Sequence, residues 1–116
     1  MTGIKTASAK AKGRKLQVAV KDKILETYPE LEEEDVKSTT MGEKGEDVQL
    51  SPAARRLFPY SVECKARASF PAYAWYMQAK HNSKGYEPLL IVKQDRSKPL
   101  VLVDMEHFFS LLERLK

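Results

Sequence analysis

The sequence predicts an α/β chain with a mixed central sheet of about five strands flanked by helices. Three observations lead there. Apolar residues recur at helical spacing in long stretches that alternate with short runs of strand-like pattern. The order is helix, three strands, helix, two strands, helix. The two late strands, 88–94 and 99–103, are apolar on both faces, which implies a centrally placed sheet covered on two sides.

The 116 residues suit one domain, and 42% apolar content allows one modest core. Residues 1–13 are rich in Lys, Ala, Ser and Thr and read as a flexible basic arm ahead of a single domain, 14–116. From Arg14 the pattern turns helical, with Leu16, Val20, Ile24, Leu25 and Tyr28 on one stripe. Pro29 ends that helix. Val36–Thr40 reads as a short strand, Met41–Gly45 as a turn and Asp47–Leu50 as a second strand. Ser51-Pro52 reads as an N-cap with proline in the first helical position, opening a short helix to Phe58.

Tyr60–Ala66 is the third strand, with Ser61, Glu63 and Lys65 on one face and Tyr60, Val62, Cys64 and Ala66 on the other. A helix follows over 69–82, with Phe70, Tyr73, Ala74 and Met77 as its expected buried stripe. Trp75 and Tyr76 lie off that stripe and suggest an interface. The two apolar strands come next. Asp104 then caps a last helix, whose inner face should carry Phe108, Leu111, Leu112 and Leu115.

The net charge of +4 hides an asymmetry. Met1–Lys21 holds six cations and no acid, whereas Glu26–Asp35 holds six acids and no base. A basic segment of this kind suits an anionic polymer. Lys10, Lys12, Arg14, Lys15, Arg55, Arg56, Arg67 and Lys80 are the candidate phosphate contacts; each alone fits a solvated charge better, and their value depends on sharing one face. A single cysteine excludes an internal disulfide. With no leader-like apolar stretch after the basic start and no spanning run, a cytoplasmic protein is expected.

Chemistry concentrates in Glu63-Cys64-Lys65, preceded one strand earlier by Glu46-Asp47. Two carboxylates on neighbouring strands can hold a divalent cation, with the Cys64 backbone carbonyl as a third oxygen. Such a cation activates water and neutralises phosphate charge. Lys65, on the face of Glu63, would orient the attacking water. The same Glu-x-Lys spacing also fits an ordinary cross-strand ion pair.

Gly45-Glu46-Asp47-Val48 with Ser61-Val62-Glu63-Cys64-Lys65 resembles the signature of the PD-(D/E)xK nuclease superfamily. Within it, the layout over Arg14–Lys116 is most similar to phage-encoded endonucleases and to archaeal and phage Holliday-junction resolvases. The resemblance implies a restriction-endonuclease-like core and a magnesium-dependent DNA endonuclease, with manganese able to substitute. It implies Asp47 and Glu63 as metal ligands and Lys65 as the motif lysine. It also implies Gln78 and Ser38 as polar groups near the active site, branched DNA as a substrate, a homodimer, and a phage-infected cell as the setting. Two departures stand out. Glu46 replaces the proline before the motif aspartate and should point away from Asp47. Gln17 stands where resolvases carry an acid on the first helix, which favours the alternative of a non-catalytic nucleic-acid-binding module on the same scaffold. An interaction protein acting on a host partner is a third reading.

Overall fold

The computed structural model describes residues 2–39, 45–68 and 71–115, and side chains from residue 9 onward. It is an α/β fold: one mixed, open five-stranded sheet flanked by helices, with strand order β1-β2-β3-β4-β5. Most of the expected turn over 41–45 lies outside the described residues, as does Phe70.

Helix α1 spans Thr2–Thr27. The stretch expected as an arm is therefore the first half of the same helix. Its Lys and Ala residues are good helix formers, and no proline interrupts them before Pro29. Leu16 and Ile24 are buried one above the other, and Val20 packs beside them. After a 3-10 turn, β1 (Val36–Ser38) pairs antiparallel with β2 (Val48–Leu50). Helix α2 (Pro52–Leu57) begins as its sequence requires: the Ser51 hydroxyl accepts a 3.1 Å hydrogen bond from Ala54 N–H.

Strand β3 (Tyr60–Arg67) is central. It pairs antiparallel with β2 at Val48–Val62 and parallel with β4 (Glu87–Gln94) along its whole length. Helix α3 (Ala72–His81) makes the crossover between the parallel strands. Val62, Cys64 and Ala66 join the core under α1. Ser61 and Glu63 are buried on the other face.

Three expectations are corrected. On α3 the inward stripe is Ala72, Trp75, Tyr76 and Ala79, whereas Ala74 and Met77 are exposed and Tyr73 is 89% exposed. Nearly every residue of Tyr73–Met77 is apolar, so periodicity left the helix's rotation undetermined; small Ala79 lets that side approach the sheet. Strand β5 (Leu100–Leu102), expected to be covered on both faces, is the edge, and Leu100 and Val101 are exposed. Helix α4 (Met105–Arg114) is capped by Asp104 as expected, but none of its residues is buried. Phe108, Leu112 and the following Leu115 are exposed; only His107 and Leu111 are half-buried. His107, for which the sequence suggested no partner, shares a 2.7 Å hydrogen bond with the Tyr60 hydroxyl and anchors the first turn of α4.

Among the described residues, no helix is long and apolar enough to cross a membrane.

Candidate functional site

Asp47 sits where β2 begins, and three neighbours fix it. Its backbone N–H donates to the Val62 carbonyl at 2.9 Å, and its carbonyl accepts from Thr39 N–H at 2.9 Å. Its carboxylate Oδ2 accepts from Cys64 N–H at 2.8 Å. The side chain is thereby held against β3, facing Glu63.

Glu63 is 7% exposed in the middle of a strand buried on both faces. Its carboxyl lies close enough to that of Asp47 for the two to influence each other's charge. Burial, and then the charge of Asp47, push the Glu63 carboxyl up to about 7, against the opposing pull of Lys65. Burial raises Asp47 as well, although the Cys64 N–H counteracts it. Each charged carboxylate makes ionisation of the other harder, so both are held toward the protonated form.

Lys65 Nζ lies 3.6 Å from Glu63 Oε2 and 5.8 Å from the centroid of the Trp75 ring. The indole face and the carboxyl hold the ammonium on the Glu63 side of the sheet. Trp75 thus flanks the cluster, a role that its place off the expected α3 stripe concealed. Cys64 is buried, and burial together with both carboxylates pushes its thiol up, so it is a core group and not a nucleophile.

Glu46, just ahead of β2, turns to α2 while Asp47 turns to β3. The Glu46 carboxylate is gripped in a two-pronged ion pair by Arg55 Nη1 and Nη2 at 2.9 and 2.8 Å. Arg55 also donates to the Tyr60 carbonyl at 2.7 Å, and its guanidinium lies 4.1 Å from the Tyr86 ring centroid. Thr39 adds a 2.6 Å bond from its hydroxyl to the Glu46 carbonyl. Arg55, expected at phosphate, is instead a clamp on the segment that carries Asp47.

Gln17 is buried, and its Oε1 accepts from the Ser38 hydroxyl at 2.6 Å. Ser38 is therefore held by α1 through Gln17, while its strand partner Val48 adjoins Asp47. Gln78 is exposed one turn beyond Trp75 on α3, and no contact ties it to either acid.

The basic candidates fall in more than one place. Lys12 and Lys15 line a cleft of about 580 Å³ together with Lys93 and Arg96, which the sequence reading had not selected. Lys12 is paired there with Asp95 at 2.9 Å. Arg56 lines a separate hollow beside Tyr86 at the end of α2. Lys10, Arg14, Arg67 and Lys80 are exposed.

The donor set suits a hard divalent cation: two carboxylates, with a peptide carbonyl beside them. Strand geometry sends the carbonyl of Cys64 toward the same edge as its N–H, which is the edge Asp47 occupies. A buried and a half-buried acid repelling each other beside Lys65 are also an arrangement that a cation would relieve. Among the described residues, no group of three or more His, Cys, Asp or Glu side chains converges, so a cation here would rest on this pair. Compared with known protein families, with curated proteins and with solved structures, the chain matches none.

Proposed function

We propose that the chain is a magnesium-dependent DNA endonuclease with a restriction-endonuclease-like core. The observation that carries this reading is the meeting of half-buried Asp47 and Lys65 with buried Glu63 at the β2–β3 junction. A surface ion pair would need none of that burial. Buried, mutually raised carboxyls next to a positioned ammonium are an arrangement of functional sites.

Asp47 and Glu63 would hold the cation, with the Cys64 carbonyl beside them. When bound, magnesium supplies charge neutralisation at the phosphate and a lower pKa for its water. The chain's own residues do the rest. Asp47 is held beside Glu63 by the Cys64 N–H. Glu63 gives up the proton it holds below about pH 7 before both acids can bind a cation. Lys65, tethered between Glu63 and Trp75, orients the attacking water and offsets charge on the phosphate. Lys12, Lys15, Lys93 and Arg96 supply a positive cleft for the sugar–phosphate backbone. Such contacts are strongly salt-dependent and largely indifferent to sequence.

The deciding experiment incubates duplex, single-stranded, flap and four-way-junction DNA with magnesium or manganese. Cleavage that disappears in Asp47→Asn supports the reading. Binding without cleavage, with no cation uptake by calorimetry, supports instead the non-catalytic module. The engagement of Gln17 with Ser38, in place of an acid at that helix position, is the observation that favours that module.

A further inference from the structure

Five strands at ~4.8 Å spacing make a sheet face roughly 20 Å wide, about twice what one helix covers. Helix α1 lies mainly over β1, β2 and β3. The same face of β4 and β5 is left as one wall of a groove, with α1 as the other. Val101 on β5 pairs with Ile91 on β4, and Leu89 stands two residues before Ile91, so all three share that face. The groove has two hollows. One, of about 360 Å³, lies between Val20 and Ile24 of α1 and Leu89 and Val101 of the sheet, with Tyr28 and Phe58 at its far end. The other is the basic cleft of about 580 Å³. They adjoin at Leu16, Ala19 and Pro99, which line both.

We infer that this groove takes one long-chain fatty acid, its chain in the apolar hollow and its carboxylate among Lys15, Lys93 and Arg96. Charge is the first reason. Four cations and one acid line the cleft, and that acid, Asp95, is already paired with Lys12 at 2.9 Å. Backbone conformation is the second. Arg96 sits at φ 60, a left-handed conformation that glycine adopts without strain, yet the position at the lip of the cleft carries a cation. The third is the wall chemistry. Among the described residues the apolar hollow has polar side chains only from Lys23, Thr27 and Tyr28, and the Thr27 hydroxyl donates to the Lys23 carbonyl of its own helix at 2.6 Å. An extended peptide laid there would bury main-chain N–H and C=O groups against walls that cannot receive them, whereas an acyl chain carries none. Length agrees: roughly 18 Å of helix separates Lys15 from Thr27, room for an extended chain of about fourteen carbons. The carboxylate would sit in the cleft that the proposed function gives to the sugar–phosphate backbone, so fatty acid and DNA should exclude one another.

The inference does not rest on the nuclease reading, and its test uses neither metal nor DNA. Full-length protein is titrated calorimetrically with monomeric myristate. Expected is one saturable site per chain with a micromolar Kd and unchanged far-ultraviolet dichroism. From octanoate through decanoate to dodecanoate, affinity should rise about fourfold for every two carbons. Dodecyltrimethylammonium, with the same chain length as dodecanoate and the opposite charge, should bind at least ~10-fold more weakly than dodecanoate. Arg96→Gly should bind myristate about threefold more weakly or worse, with a melting temperature equal to or above the wild type's, because glycine relieves the backbone. Ala19→Trp, at an exposed helix position where the hollows adjoin, should abolish binding. If that variant fails to fold, Val101→Glu, exposed on the opposite wall, replaces it with the same expectation. Val18→Glu, exposed on α1 outside both hollows, should bind as the wild type does. Absence of saturable binding overturns the inference. So does affinity indifferent to chain length, to head-group charge or to the groove variants, saturation only with loss of the dichroism signal, or uptake by anionic phospholipid vesicles without binding of the monomeric acid.

Discussion

The β2–β3 rim and the α4 face break opposite rules. At the rim, carboxyls are buried where an ordinary strand would carry valine. On α4, phenylalanine and leucine are exposed where an ordinary helix would carry lysine or glutamate. The two differ in how they are built. Asp47 is pinned by Thr39, Val62 and Cys64, and its neighbour Glu46 by Arg55, so the rim is rigid before anything binds. Helix α4 meets the sheet through His107, which shares a hydrogen bond with Tyr60 and lies 3.9 Å from Glu87, and none of the helix is buried. A preset polar cluster suits small ions and chemistry, which need fixed geometry. A lightly tethered apolar helix suits a macromolecular surface that completes its packing.

This contrast can be broken most forcefully at the rim. Asp47→Asn should lower cleavage by about a thousandfold or more while leaving the melting temperature near that of the wild type, because the amide oxygen can still accept from Cys64 N–H. Full activity in that variant ends the proposal. Lys65→Ala should lower kcat by roughly 10²–10⁴-fold with a much smaller effect on binding to uncut DNA. An equal loss of both would make Lys65 a phosphate contact and not a chemical group.

Arg55→Ala should act at one remove. Expected is a 10–100-fold rise in the magnesium concentration needed for half-maximal cleavage, with Arg55→Lys recovering only part, since ammonium cannot grip Glu46 with two prongs. Lost DNA affinity with unchanged magnesium dependence would return Arg55 to the phosphate contacts. The smallest effect concerns pH. The folded Glu63 carboxyl titrates at about 7, above its ordinary 4.5, so folding favours the protonated form. That stabilisation is complete below about pH 4.5 and fades as pH rises through 7. In EDTA the protein should therefore melt lower at pH 8 than at pH 5.5. Glu63→Gln should flatten the difference, and magnesium should narrow it from the high-pH side. A melting temperature that rises over this interval in EDTA contradicts the raised Glu63 carboxyl.

Much of this was legible in the sequence because it was local. Ser51-Pro52 and Asp104 are capping signals that act within one turn, and the caps form as expected. The alternation of Tyr60–Ala66 put Glu63 and Lys65 on one face, and they meet there. Asp47 could be placed near Glu63 because a short connection joins neighbouring antiparallel strands. What failed was non-local. The rotation of α3 depends on which of two apolar stripes meets the sheet, and its sequence offers both. The exposure of β5 and α4 depends on strand order, which an apolar run does not encode. Arg55 looked like any surface cation, because its partners Glu46, Tyr60 and Tyr86 come from three different segments. Only folding brings them together.

The Cys64 amide has a further use. Its proton is held by the very oxygen that would turn toward an ion, so its exchange with deuterium becomes a gauge of the site. A carboxylate drawn to a cation slackens that bond, and the amide of one buried backbone position should then exchange faster while its neighbours in β3 do not. Occupancy could be followed this way in solution, with no substrate and no label.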